Sequence, residues 1–169
     1  MAVGIRKTTG GNFCPVCLNF IENCTCKARA TVPRLNVSIE SLDHSDQRYD
    51  TCGDWYYGAT SQNEGELYIK VSQLPSRREM FLVAIHELIE AFLCECAGVT
   101  EKQVDAFDLM FNDHKEGDWG EDMPIEPGDD TRAPYYHQHQ IATGIERILA
   151  AEAQVDWLEY ERHIQELSK

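Results

Sequence analysis

Apolar positions alternate with polar ones in two stretches of this chain, and both predict strands. From Arg34 to Ser41, Leu35, Val37 and Ile39 fall on one face; from Glu66 to Val71, Leu67, Ile69 and Val71 do so. The aromatic run Trp55–Tyr57 is a third strand candidate, and Gly58–Gly65 reads as the turn before the next strand. Together they predict a small antiparallel sheet. The period then changes. Ser76 followed by Glu79 is a capping-box signature, and Met80 to Cys96 contains neither Gly nor Pro before Gly98 ends it. That helix is apolar almost all round (Phe81, Leu82, Val83, Ile85, Leu88, Ile89, Phe92, Leu93), the mark of a buried helix. Thr100 with Gln103 opens a second helix to about Asn112. A third spans about Tyr136 to Ala153, and Asp156 with Glu159 caps a short last one. Residues 113–134 are acidic and rich in Gly and Pro, a long loop of the kind that often lines a functional cleft. The expected fold is α+β, a small sheet packed on a buried helix with two to three further helices over 32–169, preceded by a cysteine module at 1–31.

Charge interrupts the apolar helix in one place. His86 and Glu90 stand four residues apart, so both project from one face one turn apart, and Glu87 lies beside them. An imidazole and a carboxylate at this spacing can converge on one ion, with Glu87 placed to take a proton from a metal-activated water. This is the logic of the HExxH metallopeptidases with Glu in place of the second His. A carboxylate ligand lessens Lewis acidity and widens the choice of ion from Zn²⁺ toward Mn²⁺ or Fe²⁺. Buried carboxylates need compensation. The competing explanation is an internal salt-bridge network with Arg48, Arg132 or Arg147. A third ligand is sought in Tyr135-Tyr136-His137-Gln138-His139. His139 is preferred, because Glu146 follows it by two turns on the same face and can serve as its outer partner or as a fourth ligand. His137 would point elsewhere. His44, on the loop after the first strand, is a possible metal-contacting or substrate-facing residue, and His137 stays open as the rival third ligand or as an outer or substrate-facing group. His114 and His163 read as solvated, and Cys94 and Cys96 as core packing.

The second concentration of chemistry is Cys14-Pro-Val-Cys17 followed by Cys24-Thr-Cys26. Four thiolates paired in this way predict a tetrahedral, closed and therefore structural Zn²⁺ site on which folding of the segment depends. Disulfides, free thiols and a redox CxxC are the alternatives. Seven cysteines, an odd number, and an N-terminus without an apolar core region argue for a reducing, cytoplasmic setting rather than a secreted disulfide framework.

Composition narrows the rest. At 169 residues, 43% hydrophobic and 26% charged, the sequence is that of a soluble globular protein with no membrane-spanning run. The net charge of −14 disfavours direct nucleic-acid binding and leaves either simple solubility or docking to a basic partner, including mimicry of DNA.

The ordered motifs His44-Ser45-Asp46-Gln47-Arg48-Tyr49, Gly53-Asp54-Trp55, Glu79 through Ala91, Val104 through Asp108, Ala133-Pro134-Tyr135 and His139-x-x-Ala142-x-x-x-Glu146 resemble a group of small phage- and prophage-encoded zincin-like proteins over about residues 34–160. The resemblance implies a minimal metalloprotease-like core in the host cytoplasm, to which the zinc knuckle is an addition. The expected activity is a metal-dependent hydrolase, a peptidase or amidase acting on a protein or peptide. His86, Glu90 and His139 would hold the metal and Glu87 would be the general base. The alternative is a non-catalytic acidic phage protein that binds and blocks a host protein, with structural zinc only. A weaker third idea is a carboxylate-rich Fe or Mn site for oxygen chemistry.

Overall fold

The computed structural model describes residues 35–60, 63–114, 124 and 126–167. The described elements are strands β1 (Asn36–Leu42), β2 (Gly53–Thr60) and β3 (Asn63–Ser72), then helices α1 (Arg77–Ala97), α2 (Glu101–His114), α3 (Tyr136–Glu152) and α4 (Trp157–Leu167). Short 3-10 turns lie at His44–Asp46 and Pro127–Asp129. All lie in one compact unit, Leu35–Lys169. The fold is α+β as expected. The cysteine module, with Cys14, Cys17, Cys24 and Cys26, lies outside the described residues.

The sheet is mixed rather than antiparallel, in the order β1-β3-β2. β2 and β3 form an antiparallel hairpin in which Trp55 faces Ile69, whereas β1 runs parallel to β3 with Val37 beside Leu67. The segment 43–52 is the cause. It reverses the chain and sets β2 down one strand-width beyond β1, and β3 folds back into the gap. Side chains hold that crossing in place. His44 Nδ1 lies 3.0 Å from Ser72 Oγ and its Nε2 3.0 Å from Asp50, while Gln47 Nε2 donates to the Cys52 carbonyl and to Ser72 Oγ, each at 3.1 Å. Arg48 closes on the buried Asp54 with two hydrogen bonds of 2.6 and 2.8 Å. The hairpin strands reach further than the aromatic pattern indicated, into the stretch read as a turn, because extended backbone continues to Thr60 and resumes at Asn63.

β3 supplies the centre of the core, with Leu67, Ile69 and Val71 almost fully buried. The same alternation on β1 does not lead inward: Leu35 is 80% exposed and Ile39 53%. α1 begins at the Ser76–Glu79 capping box, with both reciprocal hydrogen bonds formed, and ends at Gly98 with φ 73°, a left-handed conformation that suits glycine. Its inner side carries Leu82, Val83, Ala84, Ala91 and Cys94 into the core. Its outer side is open, with Phe81 and Phe92 more than half exposed, so the helix is buried on one side only. Cys96 is exposed rather than packed, since it lies near the exposed end of the helix. α3 packs along α1, and α4 is fastened to the start of α1 by His163, whose Nδ1 lies 2.9 Å from Glu79 Oε1. His163 is therefore a tertiary link and not a solvated residue. No helix among the described residues is long and apolar enough to cross a membrane.

Candidate metal centre

Helix geometry brings the site together from two directions. On α1, the four-residue spacing places His86 and Glu90 on the buried side facing α3. On α3, His139, Ala142 and Glu146 share the face turned to α1, and the fully buried Ala142 leaves the backbones room to approach. The result is a triangle of donor atoms. His139 Nδ1 lies 3.0 Å from Glu90 Oε2 and 3.1 Å from His86 Nε2, and His86 Nε2 lies 3.5 Å from Glu90 Oε2. For zinc bonds of ~2.0–2.1 Å, two ligand atoms of a tetrahedron sit ~3.3 Å apart, so the triangle has the dimensions of one face of such a sphere. His86, Glu90 and His139 are all buried.

Each member of the triangle is turned inward by a partner behind it. His86 Nδ1–H donates to Glu146 Oε2 at 2.9 Å, and Glu146 accepts a second hydrogen bond from the buried hydroxyl of Tyr160. His139 presents Nε2 to Asp129 Oδ1 at 3.5 Å, with Glu126 Oε2 at 4.0 Å. Glu90 Oε1 accepts from Trp55 Nε1–H at 3.0 Å, leaving Oε2 for the triangle. When the rings are neutral and keep their protons on the outer nitrogens, the inner nitrogens aim lone pairs at each other and at a carboxylate. Neutral rings so arranged repel, and a positive charge between them removes the repulsion. The donor set therefore fits a divalent ion of the zinc, Mn²⁺ or Fe²⁺ type.

Without an ion, protons supply that positive charge and both rings hold them. Burial pushes His139 down, but hydrogen bonds to Asp129 and Glu90 and the charge of Glu90 overcome it and raise the ring to about 10. His86 is also raised well above the usual range, against burial, by hydrogen bonds to Glu146 and Glu90. Burial pushes Glu90 up, yet the hydrogen bonds and charge of His139 and His86 prevail and hold it at about 2. For Glu87 the balance is reversed: burial first, then the charge of Glu90, outweigh the charges of His86 and His139 and raise its carboxyl well above the carboxylate range. It lies against β2 where a Cβ on Gly53 would stand 2.2 Å from Glu87 Oε1, so only glycine leaves that carboxyl its place. Gly128 does the same for His139, whose Nδ1 lies 2.4 Å from where its Cβ would be.

A cavity of about 340 Å³ opens onto these groups. Cys52–Trp55 of the sheet line it on one side, Glu126–Asp129 on another, and α3 and α4 complete it. The long loop thus reaches the site through its described C-terminal end.

Several sequence expectations land elsewhere. Glu146 backs His86 and not His139, because the α1–α3 packing sets it beside the ring on the facing helix. His137 is exposed on the far side of α3. His44 is engaged with Ser72 and Asp50, and the crossing segment it secures does not bring it among the cavity-lining residues. The arginines offered as a salt-bridge alternative make their described ion pairs away from the triangle: Arg48 with Asp54 and Asp105, Arg132 with Asp130, Arg147 with Glu161. Tyr160, Asp129 and Glu126 were not singled out by the sequence, and Trp55 entered only as a strand residue and in the Gly53-Asp54-Trp55 motif. The chain matches no family model, no curated protein and no solved structure.

Proposed function

We propose that this protein is a metal-dependent hydrolase of zincin-like type, a peptidase or amidase acting on a protein or peptide in the cytoplasm. The observation that supports it is the inward-facing triangle of His86 Nε2, Glu90 Oε2 and His139 Nδ1, each backed by its own outer partner and opening on a cavity that Glu87 also lines. The resemblance of the HExxE helix and the His139–Glu146 helix to phage zincin-like proteins agrees with it.

A divalent ion at the triangle would polarise a substrate carbonyl and acidify an adjacent water. The side chains do the rest. Glu87 takes the proton of the attacking water and returns it to the leaving amine, a task favoured by a carboxyl whose pKa lies above the usual range. Glu146 and Tyr160 keep His86 in the tautomer that offers Nε2. Cys52, Cys94 and Cys96 are free, which suits a reducing compartment. The second part of the proposal is a structural zinc on Cys14, Cys17, Cys24 and Cys26.

Metal counting on the purified protein tests the first step, with two ions per chain expected for the parent and one for H139A. Hydrolysis of a mixed peptide library by the zinc-loaded protein tests the second. Glu87→Gln is expected to keep both ions and lose turnover by ~10²–10⁴-fold, the share of a general base. Equal cleavage by parent and E87Q removes Glu87 from the mechanism, and no cleavage by a fully loaded parent removes the hydrolase.

A further inference from the structure

We propose that Trp55 is a positioning residue that restricts Glu90 to one metal-facing oxygen and so keeps a coordination position free. The inference rests on the metal-centre reading above and concerns how many positions of that centre the protein itself fills. A carboxylate can meet an ion with one oxygen or with both. The two oxygens of Glu90 have different surroundings. Oε2 faces His139 Nδ1 at 3.0 Å and His86 Nε2 at 3.5 Å, whereas Oε1 accepts the indole N–H of Trp55 at 3.0 Å.

The indole cannot easily let go. It has a single donor and no acceptor, so Glu90 is its one described partner. Trp55 is 4% exposed, so losing this acceptor leaves a largely buried donor to be satisfied from the cavity alone. The ring cannot swing away either. It is anchored on β2 opposite Ile69 and packs edge-on against Tyr57, with centroids 6.0 Å apart. Turning Glu90 to chelate would draw Oε1 toward the ion and away from this donor, weakening the one hydrogen bond described for the indole.

The consequence is coordination number. With Glu90 held to one oxygen, the protein supplies three donors, two nitrogens and one oxygen, and the fourth tetrahedral position is left for water or substrate. With Glu90 chelating, the protein supplies four and closes the sphere. Trp55 therefore decides between an open and a filled site without touching the ion.

Cobalt(II) reports the difference, because its visible absorption weakens as coordination rises from four to five. Full-length parent and Trp55→Phe are loaded with Co²⁺, and the spectrum of equally loaded H139A is subtracted to remove the cysteine site. W55F is expected to bind Co²⁺ but to lose visible absorption by about twofold or more as the carboxylate chelates. Acetohydroxamate, which needs an open position, is expected to bind W55F about tenfold more weakly than the parent. Identical spectra and identical hydroxamate affinity overturn the proposal. A parent spectrum no different from that of H139A has another meaning: the metal-centre reading itself fails. Should W55F not fold, ¹⁵N-indole spectra of the parent decide. The Trp55 N–H is expected to stay hydrogen-bonded and slow to exchange as zinc is added, and its release on metal binding would refute the restraint.

Discussion

Replacing Glu146 tests the centre through a residue that is not itself in the triangle. Its carboxylate accepts from His86 Nδ1–H at 2.9 Å and from the Tyr160 hydroxyl. In Glu146→Ala both buried donors lose their acceptor, and His86 is free to turn or to move its proton to Nε2, where it would block the metal. Loss of such an outer partner costs roughly 10–100-fold in metal affinity, or about 1.4–2.7 kcal/mol. Glu146→Gln separates charge from geometry. Its carbonyl can still accept from His86, so the tautomer persists, while its amide faces the Tyr160 oxygen and leaves that hydroxyl proton without its acceptor. The smaller effect, about tenfold, is expected there. Zinc affinity is read by chelator competition in a C14S/C17S background, so that the cysteine site does not contribute. The expected order of affinity is parent, then E146Q, then E146A, with H139A weakest. An E146A protein that binds zinc as tightly as the parent, while H139A does not, would show that nothing behind His86 sets its tautomer.

Three further outcomes are expected. Gly53→Ala puts a methyl 2.2 Å from Glu87 Oε1 and 2.7 Å from Val83 Cγ1, an overpacking that should cost about 1–3 kcal/mol in thermal or urea melts. Adding E87A to it should recover part of that loss, and strict additivity of the two would argue against the contact. Zinc affinity should rise with pH, since the ion must displace protons from His86 and His139, both raised above the usual range; pH-independent binding would place the metal elsewhere. Asp108 is raised to about 7 by burial, which outweighs the hydrogen bond from Tyr135. Its folded pKa lies above its unfolded one, so its own contribution to stability is greatest below about pH 4 and declines as pH climbs through 7, by up to about 4 kcal/mol. Asp108→Asn keeps an acceptor for Tyr135 and should raise the melting temperature at pH 8 but not at pH 4.

The reach of the sequence is clearest on α1. Its capping box, its terminal glycine and the shared face of His86 and Glu90 follow from local spacing alone, because a helix converts residue number into direction. The same rule put His139 and Glu146 on one face of α3 and sent His137 to the other. Periodicity was weaker guidance where partners mattered. Leu35, Val37 and Ile39 alternate as regularly as Leu67, Ile69 and Val71, yet only the second set is buried, since β3 is central and β1 is an edge. Nor does alternation carry direction along a neighbour, so the parallel pairing of β1 could not be read from it.

Local chemistry thus specified the elements, the cap and the pair of ligand candidates on each helix, because these depend on contacts within a turn or two of chain. Tertiary packing alone decided which groups stand behind them. Glu146 came to His86 across 60 residues, Trp55 to Glu90 across 35, and Tyr160 to Glu146 from the last helix. Such pairings arise from how two helices and a strand settle against one another, and no spacing rule within a single element encodes that arrangement.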